Sequence, residues 1–421
     1  MFFQKAKSAT KSTQNHRVIQ YSGRDLNLYF VAPLCVVVLV LSACKKTPTA
    51  SPTIANQVSE TLSAEAKLGA LIFSDTKLSA SGAMSCATCH DPSNAHAPNN
   101  ALSVQLGGAK HDVPGFRATP SLRYLHFTPG FSIDAEGKAS GGFTWDGRAA
   151  SLARQAERPF LAPHEMANQS KTDVVGKLAE GHYAERFQSV YGATIFSTPE
   201  LAFEKILLSL ERFQIEEPSF HPFDSKYDAY LKGQIKLSAA ESRGEALFND
   251  PKKANCAACH VSERSANGRP PLFTDFTYDN LGVPRNTEIP ATRDTNYVDL
   301  GLCGPDRLDL KEKTELCGAF KVPTLRNVAT RKVFFHNGKV KSLKDAVSFY
   351  VRRDTHPEEW YPKNAQGKID KFNDLPRAFH TNVNIKEVPY DRKPGVAPSL
   401  NEAEIDDVVA FLLTLSDGYK K

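Results

Sequence analysis

The chain has 421 residues, 41% of them hydrophobic and 24% charged. That places it on the globular side of the disorder boundary and leaves room for two domains after any leader. Its formal charge of +5 is concentrated at the start, because five Lys or Arg and one Asp fall in the first 43 residues and leave about +1 for the rest. No basic stripe remains to suggest a nucleic acid, and the balance gives no reason to expect an acidic partner.

Residues 1–43 read as a lipoprotein signal peptide. Lys5, Lys7, Lys11, Arg17 and Arg24 form a basic n-region, and Leu26 to Leu41 form an apolar stretch. That stretch is interrupted by Pro33 and is shorter than a comfortable membrane span. It ends in Leu41-Ser42-Ala43-Cys44, which resembles the bacterial lipobox, where the cysteine is lipidated and becomes the first residue. A plain secretory signal cleaved nearby and an uncleaved anchor are the alternatives, and the long n-region leaves room for a start codon downstream of Met1. Residues 44–60 are rich in Thr, Pro, Ala and Ser and read as a flexible tether. The expected location is the periplasm, with the N-terminal lipid as the sole membrane contact and the outer membrane favoured.

Leu62-Ser63-Ala64-Glu65-Ala66-Lys67-Leu68-Gly69 opens a Ser-capped helix, and Leu237-Ser238-Ala239-Ala240-Glu241-Ser242-Arg243-Gly244 repeats it with a full capping box. Gly69 and Gly244 would each let the helix approach another backbone closely. Each helix precedes the same short motif, Cys86-Ala87-Thr88-Cys89-His90 and Cys256-Ala257-Ala258-Cys259-His260. C-x-x-C-H is the signature of c-type haem attachment: two thiols add to the haem vinyl groups, and the adjacent histidine is placed to bind iron. A chance CxxC turn or half of a zinc site explains one such motif far more easily than two. Two covalently bound haems c are therefore expected.

A closing helix for the first half is expected around Leu201 to Phe213. The second is capped by Asn401, with Glu404 completing the box and Val408, Phe411, Leu412 and Leu415 on an apolar stripe. Long Gly/Pro-rich stretches with little periodicity lie between. The fold class expected is mainly α, two cytochrome c-like haem domains in tandem with long loops and little strand. The first spans 61–232 and the second 233–421, with the boundary near 224–234. Cys303 and Cys317 remain unassigned and are close enough to close one short loop. In an oxidising compartment they read as a disulfide, with a pair of buried thiols as the alternative.

Four motifs carry a family resemblance: Ser85-Cys86-x-x-Cys89-His90-Asp91-Pro92, Phe143-Thr144-Trp145-Asp146-Gly147-Arg148, Glu165-Met166, and Lys321-Val322-Pro323-Thr324-Leu325-Arg326-Asn327. With them the chain resembles the bacterial di-haem cytochrome c peroxidases and the MauG-type enzymes from Leu62 to Leu415. The resemblance implies that Trp145 lies between the haems and carries electrons. It also implies that Gln155, Pro159 and Glu165 form the peroxide pocket of the first haem, whose proximal ligand is His90. A carboxyl there can take and return the proton that heterolytic O–O cleavage requires. A loop histidine that caps the first haem at rest falls near His111, with His96 as a second candidate. A surface histidine is the alternative for either, and without a ligand that haem stays open to peroxide.

The chain has three methionines, Met1, Met84 and Met166, and none lies in the C-terminal half. The methionine that commonly binds the second haem in this family is therefore absent. Aligning Phe335-His336-Asn337-Gly338 and the helix that follows puts Tyr350 at that position, opposite His260, as in the MauG-like branch. His336 is its rival, and a buried core tyrosine is the other alternative. The family's calcium ion would lose a side-chain ligand, because Arg117-Ala118-Thr119-Pro120 lacks the asparagine of the usual R-N-x-P motif; carbonyls near Arg331 and Val333 remain for it. The function implied is reduction of hydrogen peroxide with electrons from a small redox protein. The alternatives are a MauG-like oxidase whose high-valent di-haem state oxidises a Trp or other side chain of a partner protein, and a non-catalytic di-haem electron-transfer cytochrome. A dimer is compatible with the sequence.

Overall fold

The computed structural model describes residues 61–420. The signal peptide, Cys44 and the tether lie outside the described residues. In chain order the elements are α1 (Ala64–Ser74), α2 (Cys86–Cys89), a β1–β2 ladder (Leu106–Gly107 with Val113–Pro114), a β3–β4 ladder (Ser132–Ile133 with Ala139–Ser140), α3 (Leu152–Leu161), α4 (Lys171–Ala179), α5 (Ala184–Tyr191), α6 (Pro199–Glu216), α7 (Lys226–Leu231) and α8 (Ala239–Asn249). A β5–β6 ladder (Tyr278–Asp279 with Phe320–Lys321), α9 (Leu343–Arg352) and α10 (Glu402–Leu413) follow. The molecule is mainly helical, and all three ladders are antiparallel with two residues per strand.

Each half is closed by one crossing of helices. A Cβ built on Gly69 of α1 would lie 2.0 Å from the Ser209 carbonyl of α6. One built on Gly244 of α8 would lie 1.9 Å from the Asp407 carbonyl of α10. Only a residue without a side chain permits backbones to meet at that distance. The expected capping also forms: Ser63 accepts from the Ala66 N–H at 3.1 Å, and Ser238–Glu241 and Asn401–Glu404 close reciprocal boxes.

Two separate cores result. The first joins Leu68, Ile72 and Phe73 of α1 to Phe160 of α3, Phe187 of α5 and Phe203, Ile206 and Leu210 of α6. The second joins Phe248 of α8 to Phe273, Val347 and Val351 of α9, and Val408 and Phe411 of α10. Tyr227 of α7 packs in the second core although it precedes the expected boundary at 232. Phe248, Phe273, Phe411 and Tyr227 meet edge-on at ring separations of 5.2–6.1 Å. Such pairs contribute about 0.5–1.5 kcal/mol each beyond burial.

Ion pairs hold the two halves together. Arg123 meets Asp417 at 3.0 Å and the Tyr124 hydroxyl donates to the same carboxylate at 2.7 Å. Arg117 of the first half grips Asp299 of the second through two donors at 2.6 and 2.7 Å. Cys303 and Cys317 are joined as a disulfide.

Candidate active site

Both Cys-x-x-Cys-His turns present their histidine in the same way. His90 Nδ1 lies 3.2 Å from the His96 carbonyl, and His260 Nδ1 lies 2.9 Å from that of Phe273. A ring whose Nδ1–H donates to a backbone carbonyl keeps Nε2 as the free, basic nitrogen, the arrangement typical of a metal ligand. Burial lowers both imidazoles below their usual pKa, His90 to about 4, so both are neutral and able to donate a lone pair. Burial likewise pushes the thiols up, Cys86 to about 12 and Cys89 to about 11, with Glu165 adding to both shifts. The charge of Glu165 is thus felt at both thiols of the first motif.

Around the second motif a continuous, mainly apolar cavity is lined by Cys256, Cys259 and His260 and extends to Tyr350, Val347, Val351 and Leu412. Trp145 and His336 line it as well. The donor set, one free imidazole nitrogen and one phenol oxygen with two thiols in an apolar slot, fits a haem. Burial raises the pKa of Tyr350 above its usual value, and the nearby thiols and Asp279 add to this. An anionic Tyr350 thus needs a cation at its oxygen, which iron would supply. The cavity also holds Tyr390, whose ring lies 6.1 Å from that of Tyr350 and 4.6 Å from the fully buried Arg353 guanidinium.

The two halves share a second repeat that the sequence reading aligned only in part. Phe143-Thr144-Trp145-Asp146-Gly147-Arg148 and Phe334-Phe335-His336-Asn337-Gly338-Lys339 form the same turn, closed by the bridges Phe143 to Ala149 and Phe334 to Val340. Each turn leads to a Ser cap, Ser151 or Ser342, and then to a ten-residue helix, α3 or α9. Trp145 and His336 are thereby equivalent, and so are Pro159 and Tyr350, each the eighth residue of its helix. The shared Phe-x-aromatic-x-Gly pattern followed by Ser-Leu was the available signal. His336, the rival ligand, stacks on Phe320 with ring centres 3.6 Å apart. Its carbonyl accepts from Ala118 N–H at 2.7 Å, while the Ala118 carbonyl accepts from Trp145 Nε1 at 2.7 Å. One residue thus bridges the equivalent Trp145 and His336.

Gln155 and Pro159 are four residues apart on α3 and share a face of that helix. Glu165 sits on the loop that follows, pressed under the β1–β2 hairpin, where its carbonyl accepts from Gly108 N–H at 2.8 Å. Burial raises its carboxyl pKa, opposed by Arg158 and Arg148 and assisted by Asp306. His111 lies between β1 and β2 with Nε2 2.8 Å from Ser81 Oγ. His96 is buried, stacked on Phe220 at 3.9 Å, and its carbonyl faces Nδ1 of His90. That places the His96 backbone on the Nδ1 side of His90, away from its free Nε2. Of the carbonyls expected near calcium, that of Val333 already accepts from the Arg331 guanidinium at 3.3 Å.

Residues 63–236 match the family described as di-haem cytochrome c peroxidase. The chain is 33% identical over 404 residues to the methylamine utilization protein MauG of Paracoccus denitrificans, covering 93% of this chain and 96% of that one. It is 30% identical over 312 residues to the cytochrome c551 peroxidase of Nitrosomonas europaea, covering 73% and 78%. The crystal structure of the diheme peroxidase BthA from Burkholderia thailandensis superposes with a TM-score of 0.78 at 36% identity, covering 87% of this chain and 90% of that one.

Proposed function

Given that the chain belongs to the di-haem cytochrome c peroxidase and MauG family of oxidoreductases, we propose that it reduces hydrogen peroxide with electrons drawn from a small redox protein. The proposed location is the periplasm, with a lipid on Cys44 as tether, in keeping with the basic and apolar leader that precedes it. Two haems c would be attached through Cys86 and Cys89 in the peroxidatic half, 61–232, and through Cys256 and Cys259 in the electron-transfer half, 233–421.

The observation that carries this reading is the equivalence of Pro159 and Tyr350. Proline offers no donor atom, so α3 would supply no ligand to a haem held by His90. Tyrosine offers an oxygen, so α9 would supply a second ligand, beside His260, to the other haem. When bound, the two haems supply an iron that accepts peroxide and a second centre that holds the other oxidising equivalent. The protein's own part is positioning and proton handling. Glu165 takes the proton from the inner peroxide oxygen and returns it to the outer one, which makes the leaving oxygen a good leaving group. Its raised pKa suits that exchange better than an ordinary solvated carboxylate would. Gln155, on the same face as Pro159, orients the peroxide, and Pro159 limits what else can approach. Trp145, in the wall of the second cavity and fixed by its bond to Ala118, relays electrons between the centres.

Tyr350 also favours a second reading, a MauG-like oxidase that draws electrons from a side chain of a partner protein. Phenolate is a hard anionic donor and lowers a haem potential, whereas methionine raises it. Adding peroxide to the diferric holo-protein separates the two. An immediate and persistent spectral change without reductant supports the MauG-like reading. A requirement for prior one-electron reduction supports the conventional peroxidase. Absence of reaction in both states would remove both and leave an electron-transfer cytochrome. In the same assay Tyr350→Met should alter the second haem's spectrum, and an unchanged spectrum would remove Tyr350 as ligand.

A further inference from the structure

The pocket of the first half is completed by a charge that the second half supplies. Within the loop closed by Cys303 and Cys317, Asp306 meets Arg158 of α3 at 2.9 Å and Arg148 of the Trp145 turn at 3.3 Å. Arg148 in turn meets Asp146 at 2.5 Å, and Asp146 is also held by Arg117 at 2.7 Å. The loop is anchored a second time next door. Arg307 lies 3.7 Å over the Phe131 ring and donates to the Asp146 carbonyl at 2.8 Å. The disulfide and Arg307 thus fix Asp306 from both sides.

The charged and titratable groups that act on Glu165 come from four places. They are Arg158 on α3, Arg148 on the Trp145 turn, Asp306 on the disulfide loop, and its neighbour His164, whose Nε2 is 3.6 Å from Glu165 Oε1. The thiols of Cys86 and Cys89 feel it from the motif turn. Both guanidiniums lower the Glu165 carboxyl by their charge, and a guanidinium left without a partner of its own can pair with a carboxyl and hold it as a carboxylate. Among the described residues Glu165 makes no ion pair with either arginine. Both are engaged by Asp306.

We propose that Asp306 is a positioning residue for Glu165: carried across on a disulfide-closed loop, it holds Arg148 and Arg158 in ion pairs of their own and keeps the Glu165 carboxyl free to accept and return a proton. Asp306 itself neither touches the peroxide nor moves a proton. The assignment rests on Glu165 being the acid/base group. It gives the disulfide a catalytic consequence, because an opened ring would release Asp306 from one of its two anchors.

The test follows the proton-linked transition of Glu165 in the holo-protein, both in the pH dependence of kcat/KM for peroxide and in a spectral titration of the diferric protein. Glu165→Gln identifies the transition by abolishing it. In Asp306→Asn the midpoint should fall by about one pH unit, because losing a negative charge and freeing the Arg158 guanidinium both favour the carboxylate, while Arg148 stays held by Asp146. Asp306→Glu should return it towards the original value, and the Cys303→Ser/Cys317→Ser pair should shift it the same way by less. Arg158→Gln should move it upward, and opposite shifts in two variants with intact haem content cannot come from general damage to the fold. A midpoint unmoved or raised in Asp306→Asn overturns the positioning role. If Glu165→Gln keeps both the activity and the transition, the acid/base reading falls first and takes the positioning role with it.

Discussion

The two halves that carry the Cys-x-x-Cys-His motifs are built on one local plan, and what they offer differs most at one helical position. Turn, Ser cap and ten-residue helix recur, and the eighth residue is Pro159 in one half and Tyr350 in the other. Their surroundings diverge accordingly. Glu165 stands beside the first motif among arginines, whereas Tyr350 faces the second in an apolar slot with Tyr390 and Phe335. Under the proposed function, a duplicated scaffold would separate a reacting site from a storage site by changing what one helix offers, while the histidine of each Cys-x-x-Cys-His turn is held alike in both.

The comparison breaks most sharply at Glu165, the proposed acid/base group. Glu165→Gln should lower kcat/KM for peroxide by about 10²–10⁴-fold, with haem content unchanged in a pyridine haemochrome assay. A loss under tenfold would remove Glu165 from proton transfer. Making the halves alike should cost less: Pro159→Tyr would place a donor where peroxide is proposed to bind and should lower the rate about tenfold, a barrier increase of about 1.4 kcal/mol. The first haem's spectrum should then approach that of the second, and peroxide kinetics indistinguishable from the parent would undo the equivalence of the two positions.

Smaller effects test what the halves share. Gly69→Ala and Gly244→Ala each force a Cβ into a facing carbonyl and should cost about 1–3 kcal/mol, read as a lowered midpoint in chemical denaturation. If one is tolerated and the other is not, the two helix crossings are not equivalent. Ser151→Ala and Ser342→Ala remove matching N-caps and should each cost about 1 kcal/mol. Equal losses would support the repeat at its finest level.

What the sequence made legible depended on how local the chemistry was. Both Cys-x-x-Cys-His motifs, the capping boxes at Ser238 and Asn401 and the close-approach glycines are patterns within a few residues, and the structure contains the helices they announce. The β1–β2 hairpin that presses on the Glu165 loop carried no comparable pattern, because two-residue strands leave no periodicity to read. The contacts of Asp306 with Arg158 and Arg148 span more than 140 positions, and Arg353 reaches the Tyr390 ring from 37 positions away. Such long-range juxtapositions follow from topology. The Pro159–Tyr350 equivalence lay between these cases, visible as a repeat once both turns are aligned through their glycines.

The glycine crossings also dictate an order of assembly. Gly69 meets Ser209 and Gly244 meets Asp407, so each half closes only when its last helix joins its first across most of its own length. Such distant pairings make closure slow relative to local helix formation. As the chain emerges from N to C terminus, the first half can shut before the second has been made, whereas Asp306 and Arg307 arrive later. The first half would therefore be a packed but unfinished intermediate, its arginines waiting for a loop that emerges later. Truncations ending just before Cys303 should fold that half while leaving its acid/base pocket without the outer ring of charge.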